Sequence, residues 1–257
     1  MKLQKNPVAV AIIPARFAST RFPGKPLIEI HGKTLIQHTY ENAKRCQLFN
    51  EIIVATDDKR IFEHVKSFGG NVTMTPEQCP TGTDRLAFVV ENERALQQAE
   101  MIINIQGDEP CLDPAIITNV IEILRFNPAA VMSTAVTPLK EEEAQNPSNV
   151  KCILSPDGTV LYFSRALIPG GLSLAYRKNI PYYKHLGIYA YRPDFLLQYT
   201  KLPMTPLQMA EDLEQLKVLE HGYKIKAAVV RYEGTEVNTP EDIKKVEQAL
   251  CIQNSFS

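Results

Sequence analysis

Residues 8–13 read Val-Ala-Val-Ala-Ile-Ile, an apolar run with no polar alternation. Such a run suits a strand covered on both faces, the kind found in parallel sheets packed between helices. EIIVAT at 51–56 and MIINIQ at 101–106 have the same character. Helical patterns lie between these strands. Thr34 is placed to cap a helix carrying Leu35, Ile36, Thr39, Tyr40 and Ala43 at helical spacing, and 57–68 reads as a helix closed by Gly69-Gly70. A short strand at 72–74, a helix over 84–97, a helix from 113 or 114 to 126 and a strand at 130–136 continue the alternation. The order predicts an α/β fold, a mainly parallel sheet with helices on both faces.

After Pro138 the rhythm changes. Residues 151–154 and 159–163 flank Pro-Asp-Gly and predict a β-hairpin. A strand at 188–191, a helix over 206–221 ended by Gly222 and a strand at 225–230 follow. Thr239 then caps a helix over 240–250, with Pro240 at its first position and a frayed tail beyond. With 257 residues and 44% apolar content, the expectation is one domain spanning 1–257, with 138–190 a hairpin excursion that contacts a second subunit. No apolar run approaches the roughly 20 residues of a membrane span, and the N-terminus lacks a signal core, so no membrane insertion is expected. Five scattered cysteines without Cys-x-x-Cys fit a reduced, cytoplasmic setting. The five histidines lack metal-binding spacing, so no zinc site is expected. A net charge of −1 gives no global field for nucleic acid. The charge is local: residues 1–45 hold eight Lys and Arg against Glu29 and Glu41, which suits a small anionic ligand.

The strand at 8–13 delivers Pro14, Ala15, Arg16, Ser19, Thr20, Arg21, Gly24 and Lys25 to one loop. Three cations, hydroxyls and a glycine permitting close backbone approach are the parts of a polyphosphate cradle. It is neither a Walker A loop, since Ser19 stands at the first glycine position and Pro26 follows Lys25, nor the Gly-x-Gly-x-x-Gly of dinucleotide binders, which is absent. Ligands of open parallel sheets bind beyond the carboxyl ends of the strands. Two more polar loops belong at such ends. Gln106-Gly107-Asp108 offers a hard carboxylate suited to Mg²⁺ beside phosphates, although alone it is also an ordinary turn. Pro80-Thr81-Gly82-Thr83-Asp84-Arg85 has the hydroxyls and guanidinium of a base-reading loop, or else Thr83 caps a helix and Arg85 is a surface cation. Later, Glu211, Glu214, Gln215 and Val218 fall on one edge of the expected helix, a solvated face or a polar site. His185 and Tyr189 share one strand face and, with Arg165, can form a pocket for a carboxylated polyol.

Read together, PARFASTRFPGKPL, PTGTDR, NIQGDEP, YFSR, YKHLGIYAYR, LEQL and NTPED occur in the order of the 3-deoxy-manno-octulosonate (Kdo) cytidylyltransferases, the CMP-Kdo synthetases, and the chain resembles that family over roughly 8–250. The opening motif is shared with other nucleotidyltransferases; QGDEP, KHLGIY and LEQL are more specific. The resemblance implies a Rossmann-like nucleotidyltransferase fold, a cytoplasmic homodimer, CTP and Kdo as substrates, Mg²⁺ as cofactor, and CMP-Kdo and pyrophosphate as products in lipopolysaccharide synthesis. It implies that Arg16, Ser19, Arg21 and Lys25 hold the triphosphate, with Pro14, Ala15, Thr81 and Arg85 near the cytidine. Asp108 takes the metal, and Gln106, Arg165, His185, Tyr189, Glu214 and Gln215 contact Kdo. Arg21, Lys25 and Asp108 carry the catalytic burden, because phosphoryl-type transfer needs positioning and charge neutralisation.

Four departures from the family pattern stand out. Asn238 occupies the place of a second metal-binding Asp, which predicts weaker metal binding or rescue by a neighbour such as Asp242. Cys79 and Thr81 replace a His and a Ser. The segment after Ile168 lacks a second arginine on the Kdo side, with Arg177 or Lys178 as substitutes. The competing readings are another CTP-dependent sugar-acid transferase, such as an acylneuraminate enzyme, against which KHLGIYAYR and LEQL speak, and a catalytically silent nucleotide-binding scaffold. A nicotinamide oxidoreductase shares the fold class but lacks its glycine fingerprint.

Overall fold

The computed structural model describes residues 9–18, 22–172, 175–232, 234, 237 and 239–255, with side chains as far as 251. The chain forms two compact units, one comprising Met1–Thr118, Arg192–Thr200 and Glu233–Ser257, the other Asn119–Tyr191 and Lys201–Tyr232.

The first unit is built on the apolar runs. Strand β1 (Ala9–Ala15) is followed by a 3₁₀ turn at Lys25–Leu27 and a two-stranded ribbon, β2 (Glu29–Ile30) and β3 (Lys33–Thr34). Helix α1 (Leu35–Ala43), strand β4 (Phe49–Thr56), helix α2 (Lys59–Ser67) and strand β5 (Asn71–Met74) come next. They are followed by helices α3 (Gly82–Asn92) and α4 (Arg94–Gln97) and strand β6 (Met101–Asn104). The strands pair in parallel in the order β6-β1-β4-β5, with Ile12 opposite Ile53 on one side and Asn104 on the other. Residues 9–13 of β1 are completely buried. Because successive strand side chains point to opposite faces, both faces of β1 are covered. Each fully buried Val or Ile there contributes about 1.5–3 kcal/mol.

Helix α5 (Pro114–Arg125) runs across the boundary of the two units. The second unit holds strands β7 (Met132–Pro138), β8 (Lys151–Leu154), β9 (Val160–Ser164) and β10 (Tyr183–Tyr191). Helix α6 (Pro193–Tyr199) returns to the first unit, where it packs on α3. Helices α7 (Pro206–Glu211) and α8 (Leu216–Glu220) and strand β11 (Ile225–Val229) complete the second unit, and α9 (Asp242–Ser255) closes the first. In the second unit β11 is parallel to β7, β10 is antiparallel to β7, and the β8–β9 hairpin pairs with β10 through β8.

Three expected helices are corrected. The helix expected over 84–97 starts at Gly82 and breaks at Glu93, whose backbone is extended. Its cap is Thr81, not Thr83: Thr81 Oγ accepts from the Asp84 amide at 3.1 Å and the Asp84 carboxylate accepts from the Thr81 amide at 3.1 Å. This reciprocal box satisfies two otherwise orphaned amides, while Thr83 is buried. The last helix begins at Asp242 rather than 240, because the Asp242 carboxylate accepts from the Thr239 amide at 3.0 Å and hydroxyl at 3.2 Å, and it runs on to Ser255. The helix expected over 206–221 divides at Asp212, which adopts a left-handed conformation with φ 51°.

Candidate nucleotide and sugar-acid site

The carboxyl ends of β1 and β6 bring two of the expected loops together. The Ile105 amide donates to the Ile12 carbonyl at 3.2 Å, carrying the pairing past the end of β6. Gly107 then passes so close to β1 that a Cβ there would lie 3.0 Å from the Pro14 carbonyl oxygen. Gly82, at the start of α3, faces the Pro14 ring in the same way, with a 3.4 Å approach. Pro14 therefore seats both neighbouring loops, and the absence of side chains at 82 and 107 lets them converge. Thr39 Oγ1 lies 3.1 Å from the Gly107 carbonyl and further fixes the turn. Gln106 and Asp108 are both half-buried there.

The cation loop is closed at its base by the Gly24 amide donating to the Phe17 carbonyl at 2.9 Å, with Gly24 at φ 73°. That positive φ favours glycine. Lys25 follows at once, and its Nζ lies 2.5 Å from Asp108 Oδ2 and 2.9 Å from the Val237 carbonyl. The Val237 amide donates back to the Asp108 carbonyl at 3.1 Å. Val237 holds this position because its side chain is fully buried with Ile30, Leu35, Cys111, Val246 and Leu250. Burial pushes the Cys111 thiol up to about 11, so this cysteine serves packing. Ser19, Arg21 and Asn238 lie outside the described residues, and so does any test of their expected roles.

Arg16 reaches sideways. Its Nη2 donates to the Cys79 carbonyl at 2.7 Å, tying the first loop to the loop before α3. Because the acceptor is main chain, the Cys at this position leaves the contact intact. The thiol itself is buried, and desolvation raises its pKa. Ala15 is buried, and Thr81 spends its hydroxyl on the helix cap.

Arg85 is not the surface cation that its sequence context allows. It is completely buried. Its Nη2 donates to Asp57 Oδ2 at 2.6 Å and its Nη1 to Thr75 Oγ1. α3 presents residue 85 to the ends of β4 and β5, so the guanidinium fork joins three elements. Asp57 and Thr75 are the residues that sequence reasoning missed. The available signal was that each directly follows or nearly follows a strand end.

In the second unit, Arg165 is also anchored. Its Nε donates to the Glu211 carbonyl at 2.8 Å, Nη1 to the Pro147 carbonyl at 3.2 Å and Nη2 to the Asp212 carbonyl at 3.1 Å. The Glu211 carboxylate accepts from Ser164 Oγ at 2.7 Å and the Arg165 amide at 2.9 Å. These bonds explain the break between α7 and α8. Carbonyls that a continuous helix would use four residues on are taken by Arg165, and Asp is among the residues that tolerate a left-handed turn. Glu211, Glu214 and Gln215 consequently do not share a helix edge: Glu214 and Gln215 lie in the intervening turn, with Gln215 buried. Lys151, fully buried, donates to the Arg165 carbonyl at 2.7 Å and the Asn146 carbonyl at 2.8 Å. Desolvation, then the nearby Arg165 charge, lowers its pKa.

His185 and Tyr189 do come together, with ring centroids 5.3 Å apart, although the ladder shifts register between Leu186 and Tyr189. The Thr134 hydroxyl contacts His185 Nε2 at 2.9 Å and the Ile188 carbonyl at 2.7 Å. With the Thr134 hydroxyl donating to the Ile188 carbonyl, its oxygen is placed to accept from the ring, and a proton on Nε2 completes the arrangement. The residue as a whole is half-buried, and burial of the imidazole pushes the His185 pKa down to about 3, leaving it neutral. Of the suggested substitutes for a missing arginine, Lys178 pairs with Glu141 at 3.3 Å, and Arg177 lies over Gly171. Asp242 is committed to capping α9 and to Lys245, at 3.1 Å.

Beyond the carboxyl ends of β1 and β6 a lysine–aspartate pair lies beside two glycine turns, and a model of the cytidylyltransferase family matches residues 10–225, which places the chain among the nucleotide-transferring α/β enzymes. The 3-deoxy-manno-octulosonate cytidylyltransferase of Protochlamydia amoebophila (strain UWE25) is 58% identical over 248 residues, 96% of each chain. The mitochondrial 3-deoxy-manno-octulosonate cytidylyltransferase of Arabidopsis thaliana is 47% identical over 95% of this chain and 84% of its own. A solved structure of CMP:2-keto-3-deoxy-manno-octonic acid synthetase complexed with CTP superposes with a TM-score of 0.88, at 40% identity over 95% of this chain and 99% of that one. The 4-diphosphocytidyl-2C-methyl-D-erythritol synthase of Anaerococcus prevotii, at 16% identity and TM-score 0.63 over 96% of this chain and 100% of that one, shares the fold. The chain belongs to the 3-deoxy-manno-octulosonate cytidylyltransferase family.

Proposed function

We propose that this protein transfers CMP from CTP to the anomeric hydroxyl of Kdo, giving CMP-Kdo and pyrophosphate for lipopolysaccharide synthesis, as a cytoplasmic homodimer that uses Mg²⁺. The observation that carries this reading is the Lys25–Asp108 pair at the ends of β1 and β6, at 2.5 Å, in a chain of this family. The sugar hydroxyl attacks the α-phosphorus and the bond to the β-phosphate oxygen breaks, with pyrophosphate leaving. Lys25, Arg16 and Arg21 neutralise the triphosphate and the departing charge, which is the main demand of phosphoryl transfer, and the Ser19 hydroxyl donates a hydrogen bond to it. Thr81 and Arg85, with Pro14 and Ala15, frame the cytidine. Gln106 of the first unit, and Arg165, His185, Tyr189, Glu214 and Gln215 of the second, are each proposed to contact Kdo. The neutral His185 offers a hydrogen bond rather than charge.

The residues suit a divalent cation. Asp108 supplies a hard oxygen, and an ammonium already rests against it. Among the described residues no group of three or more His, Cys, Asp or Glu converges, so substrate phosphates would complete the coordination. Asp108 would hold the ion with Asn238 as a neutral second donor. Mg²⁺ supplies charge stabilisation at the phosphates and acidifies the attacking hydroxyl. Replacing Asn238→Asp is expected to lower the Mg²⁺ concentration giving half-maximal activity; an unchanged titration counts against the role of Asn238. Exposed Leu161 and Leu172, within 138–190, support the reading of that region as a subunit contact.

The activity is tested by pyrophosphate release across CTP and UTP, with Kdo, neuraminate and a sugar 1-phosphate as acceptors. Release with CTP and Kdo is the expected result. Preference for UTP or for a sugar 1-phosphate overturns the proposal.

A further inference from the structure

We infer that Lys25 is a tethered counter-ion occupying a divalent-cation seat made by Asp108 Oδ2 and the Val237 main-chain carbonyl, so that metal is held out until a polyphosphate draws the ammonium away. This rests on the metal reading above and adds to it a ligand, the Val237 carbonyl, and an order of binding.

Two oxygens, one charged and one neutral, converge on the same nitrogen at 2.5 and 2.9 Å. Both are hard donors of the kind that Mg²⁺ and Mn²⁺ accept. The seat is rigid. The Val237 side chain is completely buried in the cluster with Leu35 and Val246, and its amide is bonded to the Asp108 carbonyl at 3.1 Å. Lys25 is less constrained at its tip, since an ammonium on a four-carbon stem can swing while its backbone stays in the 3₁₀ turn. The side chains of Lys25 and Asp108 are 17% and 24% exposed, so their pairing is only partly screened by water. A divalent cation entering the seat must displace the ammonium, because two cations cannot share one carboxylate oxygen at contact distance without strong repulsion. A triphosphate offers the ammonium a better-charged partner and frees both oxygens. Nucleotide and metal then strengthen each other's binding by the same factor.

The test uses Mn²⁺ binding to the full-length protein without nucleotide, read by loss of the free Mn²⁺ electron paramagnetic resonance signal. Lys25→Met is expected to bind Mn²⁺ about tenfold more tightly than wild type. The double variant Lys25→Met, Asp108→Asn is expected to lose the gain. Lys25→Gln serves as a second probe should the Met variant fail to fold, with thermal melting as the check. If Lys25→Met binds Mn²⁺ no better than wild type, while Asp108→Asn still weakens Mn²⁺ binding in the presence of CTP, the counter-ion role falls and the metal reading stands. If Asp108→Asn changes Mn²⁺ binding under neither condition, both fall.

Discussion

The Arg85 guanidinium shows how one buried charge can tie several elements together at the edge of a site. With Asp57 at 2.6 Å and no exposure of its own, it is compensated only while its partner remains. Replacing Arg85→Ala leaves Asp57 unpaired and is expected to cost about 3–5 kcal/mol in urea unfolding. Arg85→Lys should recover only part of that, since an ammonium lacks the planar fork that reaches Asp57 and Thr75 together. A loss below about 1 kcal/mol on Arg85→Ala would contradict the structural role. His185 adds a pH dependence. Its folded pKa of about 3 lies below the roughly 6.5 of an unfolded chain. Between these values the unfolded state binds the proton and the folded state does not, so stability rises with pH. The contribution is complete above about 6.5 and is lost as pH falls toward 3, at no more than about 1.4 kcal/mol per pH unit. Subtracting the stability profile of His185→Gln from that of wild type should give a flat line above pH 6.5 that falls below it. A difference that stays flat throughout would remove the buried neutral imidazole from the account.

At the scale of elements, most of what the chain builds was legible in its periodicity. The continuous apolar runs became β1, β4 and β6, and Thr34 caps α1 as its spacing suggests. The failures share a cause. The helix expected over 206–221 breaks because Arg165, more than forty residues earlier in sequence, takes the Glu211 and Asp212 carbonyls. The surface-cation alternative for Arg85 fails because Asp57 and Thr75 wait at two strand ends. Neither partner is visible to a local pattern. The convergence of the loops was legible only in part: Gly107 reads as a turn, but its real function is to let the Asp108 loop approach the Pro14 carbonyl. Gly107→Ala places a methyl 3.0 Å from that oxygen, where the neighbour is main chain and can yield little. The expected outcome is a loss of about 1–3 kcal/mol in stability together with a lower kcat, because Asp108 is displaced. Wild-type kcat in a folded Gly107→Ala protein would show that the close approach is incidental to catalysis.

For the molecule as a whole, the opening strand, its cation loop and the C-terminal segment meet at one place in the first unit. Lys25 near the beginning, Asp108 in the middle and Val237 near the end are joined by three hydrogen bonds. The sequence motifs announced the first two. Val237 carries no motif of its own, since its contribution is a carbonyl positioned by the burial of an ordinary side chain. The central claim is that a magnesium–nucleotide unit is gripped at this junction. A crystal structure with CTP and Mg²⁺ tests it most directly: the account predicts triphosphate oxygens within hydrogen-bonding distance of Lys25 Nζ and a metal ion on Asp108, whereas a nucleotide bound away from both residues would contradict it.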